Sequence, residues 1–219
     1  MKNRCKSMMT MLLLITVATA TAQVKVGVKA GASSASLGEV QINHYAAGLD
    51  NMLGFHAGVM LQFLTRSHWG VETGLYYSLQ GGKEKEIDYD ESYEVKATAH
   101  YLQLPVQAIY KFRLADELHL YPAVGLYFAY GLGGTLKGSG TATEDRRQAF
   151  DLTYNDDFFN HERNKFDMGL AVGLNLQYQR YLFGVSCDYG FLKINKKDII
   201  YEDDNTRNEN IKVSIGVLF

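Results

Sequence analysis

The sequence predicts an all-β chain, an eight-stranded antiparallel up-and-down transmembrane β-barrel. Three observations carry that expectation. Apolar and polar residues alternate over eight segments, the connections between the segments alternate between long and short, and an export signal stands at the front. Alternation with period two describes a strand with one apolar and one polar face. The last ten residues set the pattern, with Ile211, Val213, Ile215 and Val217 on one side and Lys212, Ser214 and Gly216 on the other. A barrel that turns its apolar faces to lipid and its polar faces to a lumen accommodates both.

The export signal comes first. Lys2, Arg4 and Lys6 precede an apolar run from Met8 to Ala18 that only Thr10 and Thr16 interrupt, and Ala20-Thr21-Ala22 follows. A basic region, a short apolar run and small residues at the cleavage point define a secretory signal peptide. The run is too short for a helix across roughly 30 Å of hydrocarbon. Residues 1–22 are therefore expected to be removed, leaving 23–219 as one outer-membrane β-barrel domain. Cys5 lies in the basic region and so makes no lipoprotein attachment site.

The strands are expected at about 24–33, 53–64, 69–80, 101–112, 118–132, 166–178, 181–192 and 210–219. Most reach the roughly 9–11 residues that a tilted strand needs to cross a bilayer. Connections 65–68, 113–117 and 179–180 are short, whereas 34–52, 81–100, 133–165 and 193–209 read as long loops. Short turns on the periplasmic side and long loops outside mark outer-membrane barrels. The segment 118–136 is the best candidate for a membrane helix, but Pro122 and four glycines make it a poor one.

Parity assigns the faces. Val24, Val26 and Val28, then Phe55, Val59 and Leu61, then Leu170, Val172 and Leu174 share the apolar side. The opposite side carries Lys25, Lys29, His56, Gln62, Glu72, Gln103, Gln107 and Lys111, and further on His119, Asp167, Asn175, Gln177, Asp188 and Lys212. Both signs are present, so paired charges filling a narrow lumen are expected; eight strands leave room for little more than side chains. Strand glycines, among them Gly31, Gly58, Gly125, Gly169 and Gly184, keep to this polar face, as space for inward Tyr76, Tyr121 and Tyr127 would require. Aromatics on the apolar face sort to the strand ends. Phe63, Trp69, Tyr110, Phe112, Tyr178, Phe183 and Phe219 form one expected ring; Phe55, Tyr77, Phe128, Tyr130, Phe166, Tyr189 and Phe191 form the other. Two such belts suit the headgroup layers of a bilayer.

Composition narrows function by exclusion. Without the leader, 19 basic residues stand against 24 acidic, a net of −5, with no basic stripe for nucleic acid. Cys187 is the single cysteine left, which precludes an internal disulfide; on an apolar face it reads as a small buried hydrophobe. The run from Gly131 to Gly138 lacks the lysine spacing of a nucleotide loop and reads as the flexible start of the longest surface loop. Inward His56, Glu72, Asp167, Asp188 and Ser186 could assemble a hydrolytic site only within hydrogen-bond reach of one another, and lumen packing is the simpler reading. Acidic clusters at Asp88, Asp90 and Glu91, at Asp156 and Asp157, and at Glu202, Asp203 and Asp204 match no calcium-loop spacing and read as solvated loop faces. Tyr89, Tyr93, Tyr154, Asn155, Asn205 and Asn208 beside them suit a binding surface. No catalytic, cofactor-binding or metal site is expected.

Several stretches resemble the PorT-like outer-membrane β-barrel family over the whole mature chain. They are Tyr101-Leu102-Gln103-Leu104-Pro105-Val106, the run Gly125 to Gly131 with Tyr127 and Tyr130, Asp167-Met168-Gly169, and Tyr189-Gly190-Phe191-Leu192-Lys193-Ile194. Phe219 is similar to the aromatic end that barrel-assembly machinery reads in this class, which implies that machinery as a partner. Pro105 lacks an amide donor and calls for a bulge or irregularity. Some relatives assist a secretion system, but the resemblance transfers little function.

The reading is thus a non-enzymatic integral protein of the cell outer membrane, structural or surface-binding, presenting its long loops outside. A place in an envelope or secretion complex fits that role. The alternatives are a narrow pore or small-molecule carrier using the lumen, and a soluble lipocalin-like barrel with its apolar face inside. Intact-mass measurement of the protein extracted from cell envelopes should give a chain that starts at Gln23; a mass that includes Met8 to Ala18 would contradict the leader assignment.

Overall fold

The computed structural model describes residues 23–36, 39–42, 45–48, 50–88, 91–143, 149–159, 163–193 and 207–219. Its strands are β1 (Gln23–Ser36), β2 (Glu39–Ile42), β3 (Tyr45–Gly48), β4 (Asp50–Leu64), β5 (Trp69–Asp88), β6 (Glu91–Tyr110), β7 (Phe112–Arg113), β8 (Leu118–Thr143), β9 (Ala149–Asp157), β10 (Phe166–Tyr178), β11 (Tyr181–Gly190) and β12 (Glu209–Leu218). Eight of them close an antiparallel barrel in the order β1-β4-β5-β6-β8-β10-β11-β12, and β12 pairs back onto β1. The small strands decorate it. β2 pairs β3, β7 folds onto the start of β8, and β9 extends the far end of β8.

The faces follow the parity of the sequence. Val24, Val28, Val59, Leu174, Val185, Val213 and Ile215 point outward and are exposed, while His56, Gln62, Glu72, Gln103, Lys111, Asp167, Asp188 and Lys212 are buried inside. A surface of aliphatic side chains around a polar interior is the reverse of a soluble lipocalin-like barrel, and lipid is the solvent that stabilises it. The aromatic belts form at both ends. Trp69 packs on Tyr110 with ring centroids 4.8 Å apart and Tyr110 on Phe112 at 4.6 Å at the short-turn end, and Phe55 meets Tyr77 at 5.7 Å at the other.

Glycine makes room for the inward tyrosines directly across the ladder. Gly58 pairs with Tyr76 and Gly169 with Tyr127. A Cβ at Gly58 would lie 2.8 Å from the Tyr76 ring, and one at Gly169 2.6 Å from the Tyr127 ring. Pro105 leaves its mark as well. The β5–β6 ladder is interrupted between Thr73↔Val106 and Tyr76↔Gln103, with no register shift, and the Thr73 hydroxyl donates to the Pro105 carbonyl at 2.7 Å.

Five expectations need correction. The stretches 81–100 and 133–165 are not mainly loop: β5 and β6 stay paired from Gly81↔Thr98 to Asp88↔Glu91, and β8 runs to Thr143 with β9 alongside. The Gly131 to Gly138 run is therefore strand, not a flexible loop start. Strand pairing persists beyond the bilayer because backbone hydrogen bonding does not need the apolar alternation that lipid imposes. The expected strand 101–112 ends at Tyr110; Lys111 leaves the ladder, and Phe112–Arg113 pairs back onto Leu120 and His119. Cys187 is exposed on the outer, lipid-facing side rather than buried in a core. Asn208 is buried inside the barrel instead of standing at a loop surface.

The topology places residue 150 and residue 66 at opposite ends of the barrel. In a Cys187→Ser background, a polymer-linked maleimide too large for porins should label Phe150→Cys on intact cells. It should label Arg66→Cys only after the outer membrane is permeabilised; the opposite result would invert the barrel.

Candidate functional site

Three layers of side chains fill the described lumen. Each is set by strand parity, which aims every second residue inward. In the layer nearest the short turns, the Lys111 ammonium donates to Gln62 Oε1 at 2.8 Å and Gln177 Oε1 at 2.5 Å. Gln62 Nε2 donates to Glu72 at 2.8 Å and to the Tyr121 hydroxyl at 3.0 Å, and Tyr121 donates to Glu72 at 3.2 Å. Lys29 completes the layer with a 2.8 Å ion pair to Glu72.

The middle layer joins opposite walls. Lys212 and Asp188 form a buried ion pair, Gln103 Nε2 donates to Asp188 at 2.7 Å, and Lys212 donates to Gln103 Oε1 at 2.7 Å. These three residues come from β12, β11 and β6, so the network ties the last hairpin to the far side of the barrel. His56 Nε2 lies 2.9 Å from Ser214 Oγ. The two side chains meet over Gly31, which pairs with both residues in the ladder.

The outer layer is mostly apolar. Tyr127 and Asn208 donate to Asp167 at 2.7 and 2.8 Å. Above them Phe158 and Phe159 turn into the mouth against Tyr101, Val95, Ala97, Ala99 and Leu136. Phe159 meets Tyr101 edge-on at 5.4 Å, and Gly131 is bare where a Cβ would lie 2.3 Å from the Phe159 ring. Arg163 fixes this stopper by donating to the Phe158 carbonyl at 3.0 Å with its guanidinium 5.0 Å from the Phe158 ring. Asp156 and Asp157, read from sequence as a solvated cluster, accept from the amides of Asp157 and Phe159 at 2.8 and 3.0 Å and so shape the turn that carries the stopper. The side chains of 88–91 and residues 202–205 lie outside the described residues, as do Tyr89 and the side chains of Tyr93, Tyr154 and Asn155.

The hydrolytic candidates do not converge. Glu72 is engaged with Lys29, Asp167 with Tyr127 and Asp188 with Lys212, while the hydroxyl beside His56 belongs to Ser214, not Ser186. His56 Nδ1 has no partner among the described residues. Ser214 was missed from sequence because its partner is separated by 158 positions.

Outside the mouth, the extended strands carry a feature that sequence reading did not assemble. Lys83 pairs with Lys96 and Lys96 with Lys137, so three exposed lysines stand side by side across β5, β6 and β8. Like charges directly opposite each other disfavour the sheet, and parity hid this alignment because it depends on inter-strand register.

A closed, lipid-facing strand barrel with a paired polar interior defines an integral membrane β-barrel. Residues 18–195 match the family described as outer membrane protein beta-barrel domain; the chain belongs to that family and resides in the outer membrane. It is similar to solved structures of Ail, the attachment invasion locus protein of Yersinia pestis (14% identity, TM-score 0.39, covering 90% of this chain and 99% of that one). It is also similar to OprG of Pseudomonas aeruginosa (13%, 0.44, 90% and 97%) and to Neisserial surface protein A (11%, 0.41, 90% and 99%). No curated protein matches the sequence.

Removing one member of the middle ion pair strands the other charge in the lumen, a loss of about 3–5 kcal/mol for a buried pair. Lys212→Met alone should therefore lower the urea midpoint of the refolded barrel strongly. Adding Asp188→Leu should restore most of the loss, and strict additivity of the two changes would show that the pair is not coupled.

Proposed function

We propose that the protein is a non-enzymatic outer-membrane barrel that acts at the cell surface through its rigid outer extension, not through its lumen. The observation that carries this reading is the filled interior. Phe158 and Phe159 close the outer mouth, and the Lys212–Asp188–Gln103 network crosses the middle. A solute could pass only by breaking buried, mutually satisfied polar groups, which is costly in a low-dielectric interior. The narrow-pore alternative therefore draws no support from this arrangement. The lysine row on β5, β6 and β8 offers the extension a contact for anionic partners such as acidic polysaccharide.

On this reading residues 1–22 direct export and are removed, and residues 23–219 form the working domain. The C-terminal strand ending in Phe219 serves recognition by barrel-assembly machinery. Membership of the PorT-like group and a place in an envelope or secretion complex are the finer readings that the residues quoted for that resemblance support. The protein in nanodiscs should bind immobilised dextran sulfate at low salt, and Lys83→Gln, Lys96→Gln and Lys137→Gln together should abolish retention. Planar bilayers should show no discrete conductance. Stable channel steps, or retention unchanged in the triple variant, would overturn the proposal.

A further inference from the structure

The short-turn end of the lumen opens into a cavity of about 470 Å³ whose lining is charged in one sense only. Five of its nine lining residues are Lys25, Arg66, His68, Lys111 and His119, and none is acidic. They come from separate places in the chain. Lys25 is on β1, Arg66 and His68 are in the β4–β5 turn, Lys111 follows β6, and His119 opens β8. Glu72 is not among the lining residues and is engaged by Lys29, Gln62 and Tyr121. At the rim, Asp116 is bound to Arg113 at 2.6 Å and Glu117 accepts from Gln179 at 2.5 Å.

Two features set this mouth apart from ordinary lumen packing. Two other inward lysines contact a carboxylate directly, Lys29 with Glu72 in the same layer and Lys212 with Asp188 in the middle one. Lys111 is 6% exposed, yet its ammonium is held by two neutral amide oxygens and is linked to Glu72 only through Gln62. His119 Nδ1 is buried with no partner among the described residues. The second feature is backbone strain. His68 adopts φ 68°, a left-handed conformation that non-glycine residues rarely take. Its carbonyl accepts from the Lys111 amide at 3.0 Å, tying the strained turn to the buried lysine. Strain held by surrounding contacts in this way concentrates at binding sites.

We infer that this mouth is an anion-binding vestibule for a phosphate group carried by a small molecule on the periplasmic side. A guanidinium, two ammonium groups and two imidazoles converging on one cavity match a multiply charged tetrahedral oxyanion better than a single carboxylate. The volume falls within the roughly 300–1,000 Å³ of small-ligand sites, leaving space for the group that bears the phosphate. The same chemistry is offered by a free phosphomonoester and by a phospholipid headgroup of the inner leaflet.

The test is calorimetric titration of the full barrel with glycerol 3-phosphate in uncharged detergent at low salt. Saturable binding is expected, with affinity at least about ten-fold weaker in Lys25→Gln/Arg66→Gln. Those two positions avoid the Lys111 floor, and the variant is checked for folding by heat-modifiable migration. Lys165→Gln, an exposed position at the opposite end, should leave the affinity unchanged. Repeating the titration in phosphatidylglycerol nanodiscs distinguishes the sources: a loss of apparent affinity identifies the headgroup as a competing occupant, and an unchanged value identifies the free phosphomonoester. No saturable binding, or equal weakening by Lys165→Gln, would overturn the inference, and neither result bears on the lysine row or on conductance.

Discussion

The pairing of β12 with β1 is the contact on which the rest of the molecule depends. In hydrocarbon an unpaired backbone amide or carbonyl costs several kcal/mol, so a sheet can cross a bilayer only without edges. The ladder from Gly27↔Leu218 to Ser36↔Glu209 removes the last edge, and the Phe219 amide adds a 2.8 Å bond to the Val26 carbonyl. Once closed, the barrel fixes parity everywhere. A one-residue slip of any strand would put its lysines into lipid and its valines into the lumen. Closure thus enforces the sorting of side chains, and the sorting in turn makes the correct register the only tolerable one.

The same constraint explains the interior. Charges directed inward by parity sit in a narrow space without bulk water and are stable only when partnered. That is the arrangement around Glu72 and Asp188. Volume is the second demand, and glycine meets it: Tyr76 lies over Gly58, Tyr127 over Gly169, and the His56–Ser214 contact over Gly31. The confinement of glycine to one face, an oddity for strand sequences, follows from the large groups it faces.

What could be read from the chain was whatever period two encodes. The inward set from Lys25 to Lys212 and the two aromatic belts were visible, because each residue's side is fixed by its neighbours in sequence. Features set by register or by the third dimension were not. The lysine row exists only because Lys83, Lys96 and Lys137 fall opposite one another on three strands. The continuation of β8 to Thr143 was hidden by Gly131, Gly133 and Gly134, where the β6–β8 ladder shifts register by one at Leu132 and then resumes. Asn208 reads as a loop residue until its bond to Asp167 shows it below the rim. Cys187 was assigned to the correct face, but that face meets lipid, so apolar does not mean buried here.

The interior also changes character along its axis. It is aromatic and apolar at the outer end, electrically paired in the layers below, and lined by basic and no acidic side chains at the short-turn mouth. A barrel selected for stability alone would have no reason to differ so much between its ends, since closure and parity act equally at every level. The apolar stopper fills the outer mouth, beyond which the paired strands continue. This also bears on the His56–Ser214 pair. That pair shares the middle layer with the Lys212–Asp188 ion pair, beneath the aromatic stopper. Among the described layers the open end is the one whose cavity is lined by basic and no acidic side chains.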